Sequence, residues 1–272
     1  MIEITMKNNF IKIETPSPLL HTLKIGDNDS FRPSATGKDL ENTKLKVIME
    51  LLEIEASKNV NHTIVSSAAH TDRLLSIKNA ALEAEERLSA SAWWAFDRPI
   101  LGKASNEEIE YIYNEYKISR DYEIAIGYIF PTQDTNNYVA VSIIKNMSKY
   151  PFIVLGTGAS DDKNIAKEKA FVESIQSWTA TEWESNNDVK QSTLWDISEL
   201  LRRFDKISQT NCFPDSNIFV KEITFSSNTI DVNDAFVTLM HSEKIDSTRS
   251  SKLAEIAIIN SELYATFTDH NH

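Results

Sequence analysis

One acidic pattern recurs in three predicted helices, and it constrains how those helices can pack. Each copy has two apolar residues, any residue, a glutamate, and a glutamate or glutamine three positions later. The copies lie at 47–53 (VIMELLE), 80–86 (AALEAEE) and 170–176 (AFVESIQ). Side chains three positions apart share one face of a helix. We therefore expect both polar groups of each copy to follow one edge of an apolar stripe, at the border of the core.

The first two copies are in phase with each other. At 100° per residue, Glu50 and Glu53 lie on the same edge of their stripe as Glu83 and Glu86 do of theirs. The third copy keeps the phase but replaces the second acid by an amide. Equivalent phases predict related structural units, that is, an internal pseudo-repeat.

Four carboxylates at a core border repel one another unless they are protonated or bridged by a cation. Mg²⁺ is usually held by a few carboxylates together with phosphates of a substrate. Paired acids on two facing helices therefore indicate a site for a metal and a nucleotide. Glutamate is also a good helix former on a solvated edge, so a plain solvent-facing stripe is the alternative.

Composition and charge exclude several classes of protein. The 272 residues include 40 acidic against 28 basic residues, a net charge of −12, which argues against a surface that coats nucleic acid or an anionic membrane. Cys212 has no second cysteine to pair with, so a reducing compartment is expected. No apolar run is long enough to span a membrane and residues 1–14 lack the core of a signal peptide. We expect a cytoplasmic protein.

Hydrophobic periodicity predicts a mixture of helices and strands. The predicted helices are 39–57, 72–92, 106–117, 165–184, 194–204 and 250–260. The predicted strands are 10–14, 62–66, 122–130, 138–145, 152–155, 218–225 and 234–240. Residues 15–38 are predicted to be a proline-containing loop, and Gly156-Thr157-Gly158 a tight turn, with a phosphate cradle as its alternative. Adjacent strands that read as hairpins favour an α+β fold with mixed or antiparallel sheets, and no linker divides residues 1–272 into two domains.

Taken in order, these segments resemble the YcaO-domain superfamily. Residues 34–39 (SATGKD) followed by Glu50-Leu51-Leu52-Glu53 are similar to that family's Gly-Lys-Gly loop and first ExxER helix. Residues 79–94 are similar to its second ExxER helix, which runs into aromatic residues, and 156–176 to a later Gly-Ala segment and helix. The resemblance covers about residues 10–240.

The resemblance implies an ATP- and Mg²⁺-dependent enzyme that phosphorylates a backbone amide oxygen of a ribosomally made peptide, as in bacteriocin biosynthesis. Attack by a nearby nucleophile, as in a cyclodehydratase, then gives an azoline, a thioamide or a related product. The resemblance makes Glu50, Glu53, Glu83 and Glu86 the metal ligands. It assigns nucleotide contacts to four further residues, Lys38, Arg87, Glu173 and Gln176. It identifies no catalytic residue.

The resemblance also implies partners. They are a precursor peptide and an E1-like or other leader-binding protein, in a homo- or hetero-oligomer. We expect Trp93 and Trp94, which follow the second acidic helix, to be core or interface anchors.

Five positions depart from the pattern of the superfamily. They are Ile54 in place of the first motif's arginine, Lys46 in place of a serine, Asp39 in place of the loop's second glycine, Leu75 in place of a polar residue, and Trp178 in place of a later arginine. The metal ligands that the resemblance implies are all present, whereas several positions of the implied nucleotide site are altered. The alternative function is therefore a catalytically reduced scaffold or partner subunit of a peptide-modifying complex.

Overall fold

The computed structural model describes residues 10–26, 33–57, 64–131, 137–187, 196–212, 225–232 and 235–242. In this part of the chain the helices are α1 (Leu40–Ser57), α2 (Arg73–Phe96), α3 (Asn106–Tyr116), α4 (Lys163–Asn186) and α5 (Ile197–Gln209). The strands are β1 (Phe10–Ile13), β2 (His21–Ile25), β3 (Ser34–Gly37), β4 (Ile64–His70), β5 (Ile100–Lys103), β6 (Glu123–Ile129), β7 (Tyr138–Lys145), β8 (Ile153–Ser160), β9 (Phe225–Val232) and β10 (Ala235–Ser242).

The strands form three antiparallel sheets, in the orders β1-β2-β3, β4-β10-β9 and β5-β6-β7-β8. Helices and antiparallel sheets together confirm the predicted α+β class. The predicted pseudo-repeat stays a prediction. None of the described helices combines the length and the apolar composition needed to cross a membrane.

Helices cover both faces of the four-stranded sheet. On one face α3 and α4 bury Ile112, Tyr116, Phe171 and Trp178 against it. On the other, the end of α2 and helix α5 bury Trp93, Leu200, Phe204 and Ile207. A sheet covered on both sides needs apolar residues at nearly every position rather than at alternate ones. This explains why every residue of β8 is buried.

The predicted tight turn at 156–158 is wrong, because these residues lie inside β8. Helix α4 lies directly on this stretch of strand. A Cβ at Gly156 would lie 2.2 Å from the Ser174 amide nitrogen, and one at Gly158 would lie 2.5 Å from the Ala170 nitrogen. The two glycines therefore let a helix backbone approach a strand backbone, which a side chain would prevent.

The predicted loop at 15–38 is also wrong in part, because it contains β2 and β3. Both strands carry polar residues that are nevertheless buried: Thr22 and Lys24 in β2, and Ser34 and Thr36 in β3. The hydroxyls of Thr22 and Thr36 lie 2.7 Å apart and hydrogen-bond each other. Because the buried positions are polar, the alternation that marks a half-buried strand is missing from the sequence.

Other differences are smaller. Strand β5 was not predicted, α2 continues to Phe96, and α5 continues to Gln209. The predicted helix 250–260, residues 62–63 of one predicted strand and nearly all of the predicted strand 218–225 lie outside the described residues.

Aspartates begin all three helices that carry the acidic pattern. The Asp72 carboxylate accepts from the amides of Leu74 and Leu75, and Asp162 caps α4 in the same way. Before α1, the Asp39 carboxylate accepts from the Asn42 amide at 2.7 Å. These caps satisfy amides that have no partner within the helix. They fix where each helix begins, and with it the direction in which its acidic face points.

Candidate functional site

A cleft of about 1230 Å³ lies where α1, α2 and α4 come together beside β3 and β4. The side chains that the sequence singled out meet here. Seven of them line the cleft: Lys38, Glu50, Glu53, Glu83, Glu86, Glu173 and Gln176. The eighth, Arg87, is partly buried and is ion-paired with Glu83. The tertiary structure thus brings together residues from three helices that are distant in sequence.

The first acidic pair accepts hydrogen bonds from two different strands. Glu50 accepts from the backbone amide of Ser34 at 2.7 Å. Glu53 accepts from the Ala69 amide at 2.8 Å and from the Ser67 hydroxyl at 3.1 Å. Helix α1 is therefore fixed to β3 and to β4 through the same carboxylates that face the cleft.

The protein strongly perturbs Glu53 within the cleft. Burial raises its pKa well above the usual range for a glutamic acid, and the nearby charges of Glu83 and Glu50 raise it further. Hydrogen bonds from Ala69 and Ser67 oppose the shift only in part. The acids of α1 and α2 are therefore close enough to repel one another, as their phase predicted.

The second pair is held by protein contacts as well. Glu86 accepts from the Thr157 hydroxyl at 2.7 Å and from the Ala159 amide at 3.0 Å, which joins α2 to β8. Glu83 pairs with Arg87. Burial opposes the charged form of Arg87, but the carboxylates around it, Glu83 foremost, outweigh burial and raise its pKa. Arg87 thus neutralises part of the acidic wall.

The third pair lies on α4, across the cleft from α1. The side-chain amide of Gln176 donates to the carbonyl oxygen of Ser34 at 3.2 Å and to its hydroxyl at 3.3 Å. Glu173 lies one turn before Gln176 and also lines the cleft. This confirms that the third copy of the pattern faces the same space as the first two.

The glutamate side chains that line the cleft suit a hard cation. Their carboxylate oxygens are the ligands that Mg²⁺ prefers. Burial, and after it the charges of Glu83 and Glu50, disfavour the charged form of Glu53 and raise its pKa. No ready-made group of three or more His, Cys, Asp or Glu side chains with metal-binding geometry occurs in the described part of the chain.

Lys38 occupies the rim of the cleft. Its ammonium lies 2.5 Å from the Glu115 carboxylate and 4.3 Å from the ring centroid of Tyr116, both on α3. The hydroxyl of Tyr116 in turn donates to Glu168 of α4 at 3.2 Å. Lys38 thus links the β3–α1 junction to α3.

The structure gives reasons for two of the five departures. Asp39 is the N-terminal cap of α1, so an acid at this position serves the helix. Trp178 is fully buried and packs edge-on against Tyr122, with ring centroids 5.0 Å apart. Position 178 faces the core below the four-stranded sheet, an environment that favours an apolar ring over a charged group.

Trp93 is a core residue, as its prediction allowed. It is 1% exposed and packs in the layer between α2, α5 and the four-stranded sheet. The guanidinium of Arg203 lies 4.3 Å from the Trp93 ring and 4.6 Å from the Trp94 ring. Both indoles are therefore contacted from within the chain.

Sequence reasoning named Lys46 only as a departure from the superfamily's serine and did not single out Lys169, but the structure places both cations in the cleft. Each lies four residues before the first acid of its copy of the pattern, Glu50 and Glu173, and each lines the cleft. In the second copy the same position is Asn79, which lines the cleft too. The fourth residue before the acid was thus the signal that would have found them, since it lies on the same helix face.

Comparison with known proteins extends these observations to the fold. No protein-family model matches the sequence, and no curated protein matches it. Solved structures do match. The YcaO protein of Methanopyrus kandleri, solved with AMPPCP and Mg²⁺, has a TM-score of 0.66 at 12% identity, covering 93% of this chain and 88% of that one.

Two further structures are similar over most of this chain. A chain of the E. coli microcin synthetase McbBCD complex has a TM-score of 0.59 at 12% identity, over 86% of each chain. A heterocyclase solved with substrate and cofactor has a TM-score of 0.60 at 13% identity, over 86% of this chain and 49% of that one. At such identities the likeness concerns the fold. The three acidic helices around one cleft, the antiparallel sheets and these matches together establish that the chain has a YcaO-like fold.

Proposed function

We propose that the chain binds ATP with Mg²⁺ in this cleft and uses it to activate backbone amides of a ribosomally made peptide. The observation that carries the proposal is the convergence of Glu50, Glu53, Glu83 and Glu86 on one cleft. The YcaO-like fold supports it, because similar structures include a YcaO protein bound to an ATP analogue and Mg²⁺, a heterocyclase and a microcin synthetase.

The proposed reaction is a dehydration driven by phosphoryl transfer. When bound, Mg-ATP would supply the phosphoryl group that makes the amide oxygen a leaving group. A nucleophile in the peptide, such as a cysteine thiol, adds to the amide carbon and loses its proton. The former carbonyl oxygen then departs with the phosphate, the amide nitrogen loses its proton, and a carbon–nitrogen double bond remains. The products are an azoline, ADP and phosphate.

The charge of each residue decides its role in this reaction: the acids would bind the metal ion, and the cations would contact the phosphates. Glu50 and Glu53 on one wall, with Glu83 and Glu86 on the other, would hold Mg²⁺ through their carboxylate oxygens. Arg87 would set the charge of Glu83 and contact a phosphate. Positioning and neutralisation of charge account for most of the catalysis of phosphoryl transfer. Lys38, Glu173 and Gln176 complete the proposed nucleotide site at its rim and on α4.

We further propose that the chain acts in the cytoplasm with a precursor peptide and a leader-binding partner. One of the similar structures belongs to a multi-subunit synthetase, and another was solved with its substrate. Residues 1–272 would act as one YcaO-like domain within such an assembly.

The first test measures nucleotide binding. Isothermal titration calorimetry with ATP and Mg²⁺ together should show binding to the purified chain, and ATP in EDTA should bind more weakly. The double variant Glu50→Gln with Glu53→Gln should lose most of the Mg²⁺-dependent gain. Glutamine oxygens can still accept from the Ser34 and Ala69 amides, so this variant should fold. Equal binding of ATP with Mg²⁺ and with EDTA would contradict the proposal.

A catalytically reduced scaffold or partner subunit is the second candidate. The observations that favour it are Ile54 and the buried Trp178 at positions where the superfamily has arginines. The test uses the complete modifying complex and its precursor peptide, with the mass change of the peptide as readout. An enzyme carrying Glu50→Gln with Glu53→Gln should leave the peptide unmodified. A scaffold with the same substitutions should support modification at the normal rate.

A further inference from the structure

Two lysines, one on α1 and one on α4, line the same cleft. Lys46 and Lys169 both line it, and both side chains are exposed to the solvent that fills it. The surrounding protein removes enough water from Lys46, and Lys169 lies near enough to it, that the pKa of Lys46 is lowered. Two ammonium groups of the same charge are therefore held within electrostatic reach of each other.

Among the residues that the structure describes, no carboxylate pairs with either lysine. The ammonium of Lys169 donates to the carbonyl oxygen of Ala159 at 3.1 Å, which is an uncharged acceptor. Lys46 makes no hydrogen bond or ion pair with any of the residues that the structure describes. This differs from Arg87, which pairs with Glu83, and from Lys38, which pairs with Glu115. Within the described part of the chain, the cleft thus contains two cations that have no anionic partner, although the net charge is −12.

Both ammonium groups lie against backbone that borders the acidic walls. A Cβ at Gly37 would lie 4.0 Å from Lys46 Nζ, so Lys46 lies over the end of β3. The peptide group of Ala159 contacts two partners: its amide donates to Glu86 at 3.0 Å and its carbonyl accepts from Lys169. Lys169 is therefore separated from the α2 acids by a single residue of β8.

A ligand that suits this arrangement must carry several negative charges. A single carboxylate would gain from two lysines but would also be repelled by the acids around them. A polyphosphate with a bound cation avoids this conflict, because the cation contacts the carboxylates while free phosphate oxygens reach the ammonium groups. Lysine is a common phosphate contact because its charge is concentrated in a small head group.

We propose that Lys46 and Lys169 form a phosphate subsite that binds the polyphosphate of a metal-bound nucleotide. The identification of the ligand as a nucleotide rests on the proposed function.

The test compares Lys46→Gln and Lys169→Gln with Lys44→Gln as the matched control. Lys44 is on the same helix as Lys46, but it pairs with Glu41 and does not line the cleft. Three probes are titrated by calorimetry: ATP with Mg²⁺, tripolyphosphate with Mg²⁺, and adenosine. Loss of either cleft lysine should weaken the first two about tenfold or more, the size of one charge-assisted hydrogen bond. Binding of adenosine should not change, and Lys44→Gln should behave as wild type.

The results separate this inference from the proposed function. If wild type binds ATP with Mg²⁺ and both variants bind it equally well, the subsite is wrong and the proposed function stands. A second outcome is that wild type binds tripolyphosphate as tightly as it binds ATP, while the variants bind tripolyphosphate more weakly. In that case the subsite stands and the nucleotide function is wrong. If wild type binds no phosphate probe, both are wrong. Melting curves of the variants should match wild type, since both side chains are exposed.

Discussion

Glu50 and Gln176, on helices α1 and α4, are joined through Ser34. The Ser34 amide donates to Glu50 at 2.7 Å, while Gln176 donates to the carbonyl oxygen and the hydroxyl of the same serine. One residue of β3 therefore holds two walls of the cleft at a fixed separation. The polar side chains proposed to bind ligand also maintain the cleft.

Replacing Gln176 should test its contribution to the stability of the cleft. Gln176→Glu places a carboxylate against the carbonyl oxygen of Ser34, where it repels instead of donating. We expect a loss of about 1–3 kcal/mol in the free energy of unfolding, the cost of a broken hydrogen bond with an unsatisfied buried partner. Gln176→Met, which removes the hydrogen bonds without adding charge, should cost less. Urea denaturation measures both, and equal losses would show that the added charge is irrelevant.

Glu53→Gln should stabilise the chain in the absence of ligands. The pKa of Glu53 is raised in the folded state, so the unfolded state ionises first as the pH rises. The free energy of unfolding then falls as the pH rises from the ordinary range of a glutamic acid through the raised folded pKa. Glutamine removes this loss and can still accept from Ala69. The stabilisation should be present at neutral pH and absent at acidic pH.

Melting curves of wild type and Glu53→Gln across this pH range provide the measurement. Glu55→Gln is the control, because Glu55 is on the same helix but does not line the cleft. A gain for Glu53→Gln that is equally large at acidic pH would show that the charge of Glu53 is not its cause.

Gly156→Ala should disrupt the packing of α4 on β8. The new Cβ would lie 2.2 Å from the Ser174 nitrogen and 2.4 Å from the Ala170 carbonyl oxygen, both of which are backbone atoms. Overpacking of this kind typically costs about 1–3 kcal/mol and more when the backbone must shift. Gly127→Ala is the milder comparison, since its Cβ would meet only side chains, the nearest at 3.2 Å. A smaller loss of melting temperature at Gly156 than at Gly127 would contradict this packing.

Arg203→Ala should destabilise the chain far more than Arg202→Ala. Arg203 is 2% exposed, donates to the carbonyl oxygens of Trp93 and Trp94 at 3.2 and 2.8 Å, and stacks on both indoles. Its loss removes a buried cation together with its hydrogen bonds to two carbonyls, and opens a cavity, at a cost of about 3 kcal/mol or more. The ion pairs of the exposed Arg202 contribute about 1 kcal/mol or less. Chemical denaturation of the two variants provides the comparison.

The sequence by itself determined the acidic helices and their shared orientation. The spacing of three between polar residues beside an apolar stripe is a property of one helix. It therefore predicted correctly that the polar faces of α1, α2 and α4 would lie at the border of the core. The hairpin of β6 and β7 was likewise readable, because its apolar strands are short and contiguous. The order of these segments was sufficient to predict the YcaO-like fold, although identity to similar structures is only 12–13%.

Only the tertiary structure decided what each polar group contacts. Lys46 and Lys169 lie on helices that are far apart in the sequence, and their proximity depends on how α1 and α4 pack against β3 and β8. The raised pKa of Glu53 results from burial and from Glu83 on another helix. The strand conformation of Gly156 depends on the approach of α4. Periodicity reports which face of an element is buried, but charge, desolvation and close contact depend on the distances between elements, which are set only when they pack together.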